Sequence, residues 1–168
     1  MGRLAAQALL EGHHRDIGVI ELDPNDGEAA PGRRVGCRTY LEQAGIPWST
    51  VHVAVGHGTT RGGYAAAARL LTDHPWMTGL VCGNDRMAMG AYDAIREQGL
   101  RVREDVAVIG IDDQELIADQ VHPALTTVAL PFEEMGQVAV SHLLALMEGE
   151  EVPAETLLPG TIIRRSSA

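Results

Sequence analysis

The chain has little cysteine, no cluster of positive charge and no long apolar run. Its 168 residues contain two cysteines, Cys37 and Cys82, which stand too far apart for a metal-binding motif and are too few for a disulfide framework. This usage favours a reducing cytoplasm as the location. The net charge of −10, without a stripe of Lys and Arg, argues against direct contact between this segment and a nucleic-acid backbone.

Membrane and export signals are also missing from the sequence. No apolar run approaches the roughly 20 residues that a membrane span needs, and the start carries no apolar segment of the secretory type. With 45% hydrophobic and 21% charged residues, the chain should bury a core, as one large domain or as one lobe of a two-lobed protein. We therefore expect no membrane partner.

Motifs for cofactors, metals and catalysis fail on their spacing. Gly56 and Gly58 resemble the start of a dinucleotide loop, but its third glycine should stand at position 61, which is Arg61. Gly58 and Gly63 have the outer spacing of a P-loop, but Tyr64 replaces its lysine. The sequence has no Gly-x-Ser-x-Gly elbow and no His-Glu-x-x-His motif. We expect no cofactor, no metal site and no catalytic residues, which favours a protein that is not an enzyme.

One stretch, residues 79–113, organises the rest of the chain. Gly79–Cys82 is a short apolar run, Met87–Gln98 has apolar residues at helical spacing, and Val106–Ile111 is a second buried run. Two strands joined by a helix lie parallel, so their polar ends meet at one edge of the sheet. Ligands of open α/β sheets bind outside the carboxyl ends of the strands. The candidate site therefore lies at this edge.

The remaining chain continues the alternation of strands and helices. This order predicts an α/β fold with a parallel, doubly wound sheet flanked by helices. We predict strands at 17–22, 51–55 and 126–130, helices at 4–10, 33–44, 61–72 and 132–147, a loop at 23–32, and two short extended pieces around Gly160 within 156–164.

Three side chains expected near this edge suit a sugar, and they also suit a heterocycle with polar edges. Asn84 offers two donors and an acceptor, Asp112 offers acceptors, and Arg33 offers a planar set of donors. Simpler roles are open for each of them. Asn84 and Asp85 are suited to cap or begin the next helix. Asp112 and Asp113 could be only the polar end of a strand, and Arg33 a solvated helix residue. The convergence of Asn84 and Asp112 on one edge favours ligand binding for these two.

Several short motifs, spread over nearly the whole chain, carry a family resemblance. They are Gly12-His13 ahead of Ile17–Ile20, Arg33-Arg34-Val35-Gly36, Gly83-Asn84-Asp85-Arg86-Met87-Ala88-Met89-Gly90-Ala91, Val108-Ile109-Gly110-Ile111-Asp112-Asp113, Pro123-Ala124-Leu125-Thr126-Thr127-Val128, Met135-Gly136, Leu157-Leu158-Pro159 and Arg164-Arg165-Ser166. In this order they resemble the effector-binding core of the lactose/galactose-repressor family of bacterial transcription regulators. Ile111 departs from the family pattern, which usually has an aromatic residue there.

The resemblance implies one lobe of a two-lobed, type I periplasmic-binding-protein-like fold. Residues 1–127 would form the C-terminal lobe of the effector-binding domain, 128–155 a crossover and a helix that normally packs on the N-terminal lobe, and 156–168 a returning segment. It also implies that the helix-turn-helix, the hinge helix and most of the first lobe are absent. Helix 132–147 should then expose apolar surface or bury it by dimerisation.

The family's ligand-contacting residues can be carried over by position. The resemblance implies that Arg33, Asn84 and Asp112 contact the ligand. Asp23, Gly58 and Asp113 are candidates for further lining residues. The ligands of the family are mainly sugars, with nucleobases and nucleosides as a minority.

The implied function is that of the effector-binding part of a regulator. Effector binding would change the angle between the lobes of a homodimer, and so its DNA binding through the missing N-terminal part. A sugar-binding protein of a transport system is an alternative that requires an export signal. A small α/β enzyme with Asp112 or Asp113 as base is a further alternative, and it requires a nucleophile or a metal on the same edge.

Overall fold

Strands and helices alternate along the computed structural model, which describes residues 1–25, 27 and 29–168. The strands are β1 (Ile17–Glu21), β2 (His52–Val55), β3 (Gly79–Cys82), β4 (Ala107–Asp112), β5 (Thr126–Ala129) and β6 (Thr161–Ile163). The helices are α1 (Gly2–Glu11), α2 (Ala29–Gln43), α3 (Thr60–Asp73), α4 (Asp85–Glu97) and α5 (Phe132–Met147), with a 3-10 turn at Trp48–Thr50.

The strands form one six-stranded sheet in the order β2-β1-β3-β4-β5-β6. Neighbouring strands from β2 to β5 are parallel, and β6 pairs antiparallel with β5. The predicted parallel α/β fold is therefore confirmed. Because all strands from β1 to β5 run the same way, their carboxyl ends lie at a single edge.

Helices cover both faces of the sheet because successive strand residues point to opposite sides. Ile17 and Val19 of β1 share a buried cluster with residues of α1 and α2. The side chain of Ile20 points to the opposite face of the sheet and belongs to a second buried cluster with residues of α3 and α4. Both faces of β3 and β4 are buried in this way, which explains why their sequences are continuous apolar runs.

One sequence-based boundary is wrong. Helix α2 begins at Ala29 rather than at Arg33, within the segment predicted as a loop. Pro31 fits there because the first-turn backbone N–H groups of a helix have no intrahelical acceptor, so proline loses no hydrogen bond. One of the two extended pieces predicted around Gly160 forms the strand Thr161–Ile163.

Helix α5 stands apart from the rest of the chain. None of its residues is buried, and its exposed apolar side chains range from Met135, 43% exposed, to Met147, 76% exposed. Apolar surface on this helix is therefore exposed, which was one of the two outcomes expected for it. The proposed division between residues 127 and 128 falls inside β5.

Candidate functional site

The three candidate side chains come from different elements that meet at the carboxyl edge. β3 pairs with β4 from Gly79↔Ala107 onward, and continuing this register brings Asn84 level with Asp112. Asn84 directly precedes α4, and Asp112 is the last residue of β4. Arg33 lies on α2, which packs over the same end of the sheet.

Arg33 and Asp112 form a partly buried ion pair. Arg33 Nη2 donates to Asp112 Oδ1 at 2.7 Å, and the two side chains are 15% and 14% exposed. The other terminal nitrogen of Arg33 donates to the carbonyl oxygen of Gly83, the residue before Asn84. Burial raises the pKa of Asp112 above its usual range, and the Arg33 charge acts in the opposite direction. The solvated-helix interpretation of Arg33 is therefore wrong, because the packing of α2 over the strand ends gives the guanidinium buried partners.

Asn84 is a helix cap and also reaches across the edge. Its Oδ1 accepts from the backbone N–H of Met87 at 2.9 Å, which makes Asn84 the N-cap of α4. Its Nδ2 donates to the carbonyl oxygen of Gly58 at 3.0 Å. The simpler role considered for Asn84 is thus confirmed. A primary amide has two hydrogens, so a second donor on Nδ2 can serve a ligand.

The backbone turns sharply where β4 ends. Asp112 has φ 123° and Asp113 has φ 54°, both in the region that L-residues rarely adopt. Such conformations cost about 1–3 kcal/mol each and persist where the surroundings enforce them. Asp113 Oδ1 lies 2.8 Å from Arg165 Nη2, an ion pair to the closing segment. Asp113 is thus held from the C-terminal side, while Asp112 is held by Arg33.

Asp23 and Gly58 lie on the same edge, beyond the ends of β1 and β2. Asp23 Oδ2 is 3.0 Å from His57 Nδ1, and Asp23 Oδ1 accepts from the backbone N–H of Asn25. These contacts lower the pKa of Asp23, with the bond from Asn25 as the largest cause. Gly58 has φ +65°, and a Cβ there would lie 3.6 Å from Asn84 Nδ2. This glycine therefore leaves the space next to the Asn84 amide open.

One buried and one partly buried side chain at the edge were not predicted from the sequence as parts of the site. Glu21, at the end of β1, is 7% exposed, its Oε2 is 3.2 Å from Arg34 Nη1, and burial raises its pKa. A glutamate closing the apolar run 17–20 was the available signal. Gln114 was not singled out at all, although its Nε2 lies 3.5 Å from Asp112 Oδ2.

The cavities beside α2 are small. One of about 20 Å³ lies under the helix between Arg33, Gly83 and Glu21, which is room for one water molecule. A second, of about 210 Å³, lies by the start of the helix between Pro24, Pro31 and Arg34. Both are smaller than the roughly 300 Å³ at which small-molecule pockets begin. Among the described residues, the edge beside α2 is therefore an open face and not an enclosed pocket.

Among residues 1–25, 27 and 29–168, no group of three or more His, Cys, Asp or Glu side chains is placed to hold a metal ion. Within the same described part of the chain, no helix combines the length and the apolar character of a membrane span.

The edge therefore presents both hydrogen-bond donors and hydrogen-bond acceptors. The carboxylate of Asp112 can accept hydrogen bonds, and the amide of Asn84 can donate one. The ion pair with Arg33 holds the Asp112 carboxylate in place. Neighbouring hydroxyl groups of one small molecule need both kinds of partner, since each hydroxyl donates and accepts. The geometry suits recognition by hydrogen bonding. Asp112 is paired with the Arg33 guanidinium.

Comparison with known proteins assigns the chain to a family. Residues 6–168 match the family described as periplasmic binding protein-like domain. The chain is 39% identical over 171 residues to the HTH-type transcriptional repressor PurR of Yersinia pestis bv. Antiqua (strain Antiqua), covering 99% of this chain and 49% of the repressor.

Two solved structures agree with this assignment. A Lac repressor dimer bound to operator and the anti-inducer ONPF is 32% identical, with a TM-score of 0.90 over 99% of this chain and 57% of that one. A complex of the transcriptional regulator CelR with cellobiose is 34% identical, with a TM-score of 0.90 over 99% of this chain and 51% of that one. The chain spans about half the length of the curated relatives it matches. It belongs to the periplasmic binding protein-like domain family, in the form that repressors of the lactose/galactose-repressor type carry as their effector-binding core.

Proposed function

We propose that this chain is the C-terminal half of the effector-binding region of a bacterial transcription regulator. The main support for this proposal is the cluster at the carboxyl edge, where Arg33, Asn84 and Asp112 present hydrogen-bond donors and acceptors beside each other. The chain would take part in regulation by binding a small molecule and would carry out no reaction. It would act in the cytoplasm as part of a homodimer that contacts DNA through a region outside these residues.

The effector class that we infer is a sugar or a related polyhydroxylated molecule, with nucleosides second. Among the described residues, Asp112 Oδ2 has only a long contact with Gln114, so it can accept from a ligand hydroxyl. Asn84 can donate to the next oxygen of the same ligand. A buried hydroxyl without a partner costs about 1–3 kcal/mol, so molecules that lack hydroxyls at these places would bind less well. The cellobiose in the CelR complex fits this class.

The open face at the edge supports a two-lobed arrangement. Residues 1–127 would form the lobe, residues 128–155, which include α5, would pack on a second lobe, and residues 156–168 would return to the sheet through β6. The exposed apolar side chains of α5 support this division, because monomeric proteins rarely leave a large contiguous apolar surface in water. Closure of the second lobe over Asn84 and Asp112 would complete the pocket.

A thermal-shift screen of sugars and nucleosides, run on the chain in its natural full-length context, tests this proposal. A ligand that binds only the folded state at about 100 times its Kd stabilises by about 2.7 kcal/mol, which is a shift of several degrees. We expect at least one sugar to produce such a shift. An enzyme would instead be revealed by conversion of the stabilising compound.

Site variants must respect the structural roles of these residues. Asn84→Asp keeps the oxygen that caps α4 and removes the amide donor, Arg33→Lys keeps the charge and removes the planar fork, and Asp112→Asn keeps the shape and removes the charge. Each is expected to reduce the shift by at least half. Asp93→Asn, an exposed change of the same kind on α4, should leave the shift intact. Equal shifts in all four variants would rule out this site.

A further inference from the structure

Asp85 is a buried carboxylate beneath the edge that the proposed function does not use. The residue is 0% exposed. Its Oδ1 accepts from the hydroxyl of Thr127 at 2.6 Å, and its Oδ2 accepts from the backbone N–H of Gln114 at 2.8 Å. One side chain thus joins the first turn of α4 to β5 and to the turn that follows β4.

The fold makes room for this carboxylate at one position of β4. A Cβ on Gly110 would lie 2.1 Å from Asp85 Oδ1 and 2.8 Å from a methyl carbon of Leu125. Any side chain at position 110 would therefore displace the carboxylate or the strand. The Asp85 carboxylate therefore occupies the space that the missing side chain of Gly110 leaves free.

The turn that Asp85 holds is the one that presents Asp112. Two consecutive residues, Asp112 and Asp113, have positive φ angles there, so the backbone needs outside support. Gln114 follows directly, and its backbone N–H is fixed by Asp85 while its side chain extends back toward Asp112 Oδ2. Asp85 therefore acts on the proposed ligand-binding carboxylate through Gln114, without touching the open face itself.

We propose that Asp85 is a positioning residue, which holds the 112–114 turn so that Asp112 faces the effector and ties that turn to β5. Only the effect on ligand affinity rests on the proposed function, since the anchoring of the turn is a property of the unliganded chain. β5 leads within a few residues to α5, so the same hydrogen bonds link the site to the segment proposed to reach the second lobe.

NMR of the unliganded chain gives the first test. Burial raises the pKa of Asp85 to about 6, and the hydrogen bonds from Thr127 and Gln114 act in the opposite direction. The other titratable groups facing Asp85 are Asp112, Asp113, Cys82 and Tyr92; burial raises the pKa values of Cys82 and Tyr92 far above this range, so they stay protonated. The Gln114 amide proton should therefore shift in a step with a midpoint near pH 6.

Two variants and a control decide the outcome. In Asp85→Asn the step at Gln114 should vanish, and side-chain N–H exchange of Arg33 should become roughly tenfold faster as its partner Asp112 loosens. In Asp93→Asn both signals should match the parent chain. If the turn is held without Asp85, Asp85→Asn will leave Arg33 exchange unchanged, and the proposal is overturned.

A second variant keeps the test decisive if Asp85→Asn does not fold. Thr127→Val removes one hydrogen bond that lowers the pKa of Asp85, so the midpoint of the Gln114 step should move to higher pH. Thr127→Ser should restore it. No movement in Thr127→Val would show that Asp85 does not connect β5 with the turn. These readouts need no ligand, so a failed sugar screen would count against the proposed function and leave this inference standing.

Discussion

Helices α4 and α5 make opposite use of their apolar residues. α4 buries most of its length between α3 and the sheet, including Met87, Tyr92 and Ile95. α5 is longer and more apolar in composition, yet none of its residues is buried. Apolar composition therefore does not determine whether a helix is buried. Burial depends on whether other parts of the fold pack against that helix. Among the described residues, none covers α5 well enough to bury any of its side chains.

The largest expected difference between the two helices concerns side-chain truncation. Ile95 on α4 is 0% exposed, so Ile95→Ala removes buried methylene groups and leaves a cavity. It should lower the free energy of unfolding by about 2–5 kcal/mol. Leu144 on α5 is 55% exposed, and Leu144→Ala should change the same quantity by less than about 0.5 kcal/mol. Urea denaturation measures both. A comparable loss in Leu144→Ala would mean that α5 packs against this chain in solution.

Adding one methyl group to a glycine should act in opposite directions on the two helices. A Cβ on Gly90 would lie 2.0 Å from the backbone oxygen of Thr60, so Gly90→Ala must push α3 and α4 apart and should cost about 1–3 kcal/mol. Gly136 on α5 has nothing within 4 Å, so Gly136→Ala should stabilise the helix by about 0.5–1 kcal/mol. Denaturation checks the first change, and amide hydrogen exchange along α5 checks the second. A destabilising Gly136→Ala would indicate a close neighbour on that face.

A charged substitution on the exposed face of α5 is expected to change stability least. It should nevertheless reduce the apolar surface that α5 exposes. Val140 is 58% exposed, and Val140→Glu should reduce the binding of an apolar dye, or dissociate a dimer if α5 self-associates, while stability changes by less than about 0.5 kcal/mol. Val35 on α2 is similarly exposed, at 61%, and serves as the matched control. Val35→Glu should leave dye binding and sedimentation unchanged. Equal effects of the two substitutions would show that α5 is not the dominant apolar surface.

Local patterns in the sequence were sufficient for most of the fold. The apolar run 79–82 and the spacing of apolar residues after Met87 each depend on near neighbours, and the structure has a strand and a helix there. The start of α2 was mispredicted because Pro31 and the polar residues before it are equally compatible with a loop and with a first helical turn.

The candidate site was less accessible to sequence than the fold. Parallel strand ends are enough to place Asn84 and Asp112 at the same edge. The ion pair of Arg33 with Asp112 joins residues 79 positions apart and depends on how α2 lies over the sheet. The position of Gln114 next to Asp112 depends on the turn at the end of β4. The positive φ angles of that turn could not be predicted from the residue pattern.

The sequence by itself determined the parallel α/β architecture, the edge at which polar strand ends collect, and the family, because these follow from periodicity and from short ordered motifs. Only the tertiary structure decided what each polar group at that edge does: Asn84 caps a helix, Arg33 holds Asp112, and Asp85 is enclosed beneath Gly110. The physical reason is that a hydrogen-bond partner is chosen by distance and burial. Both depend on the packing of elements that are remote in sequence.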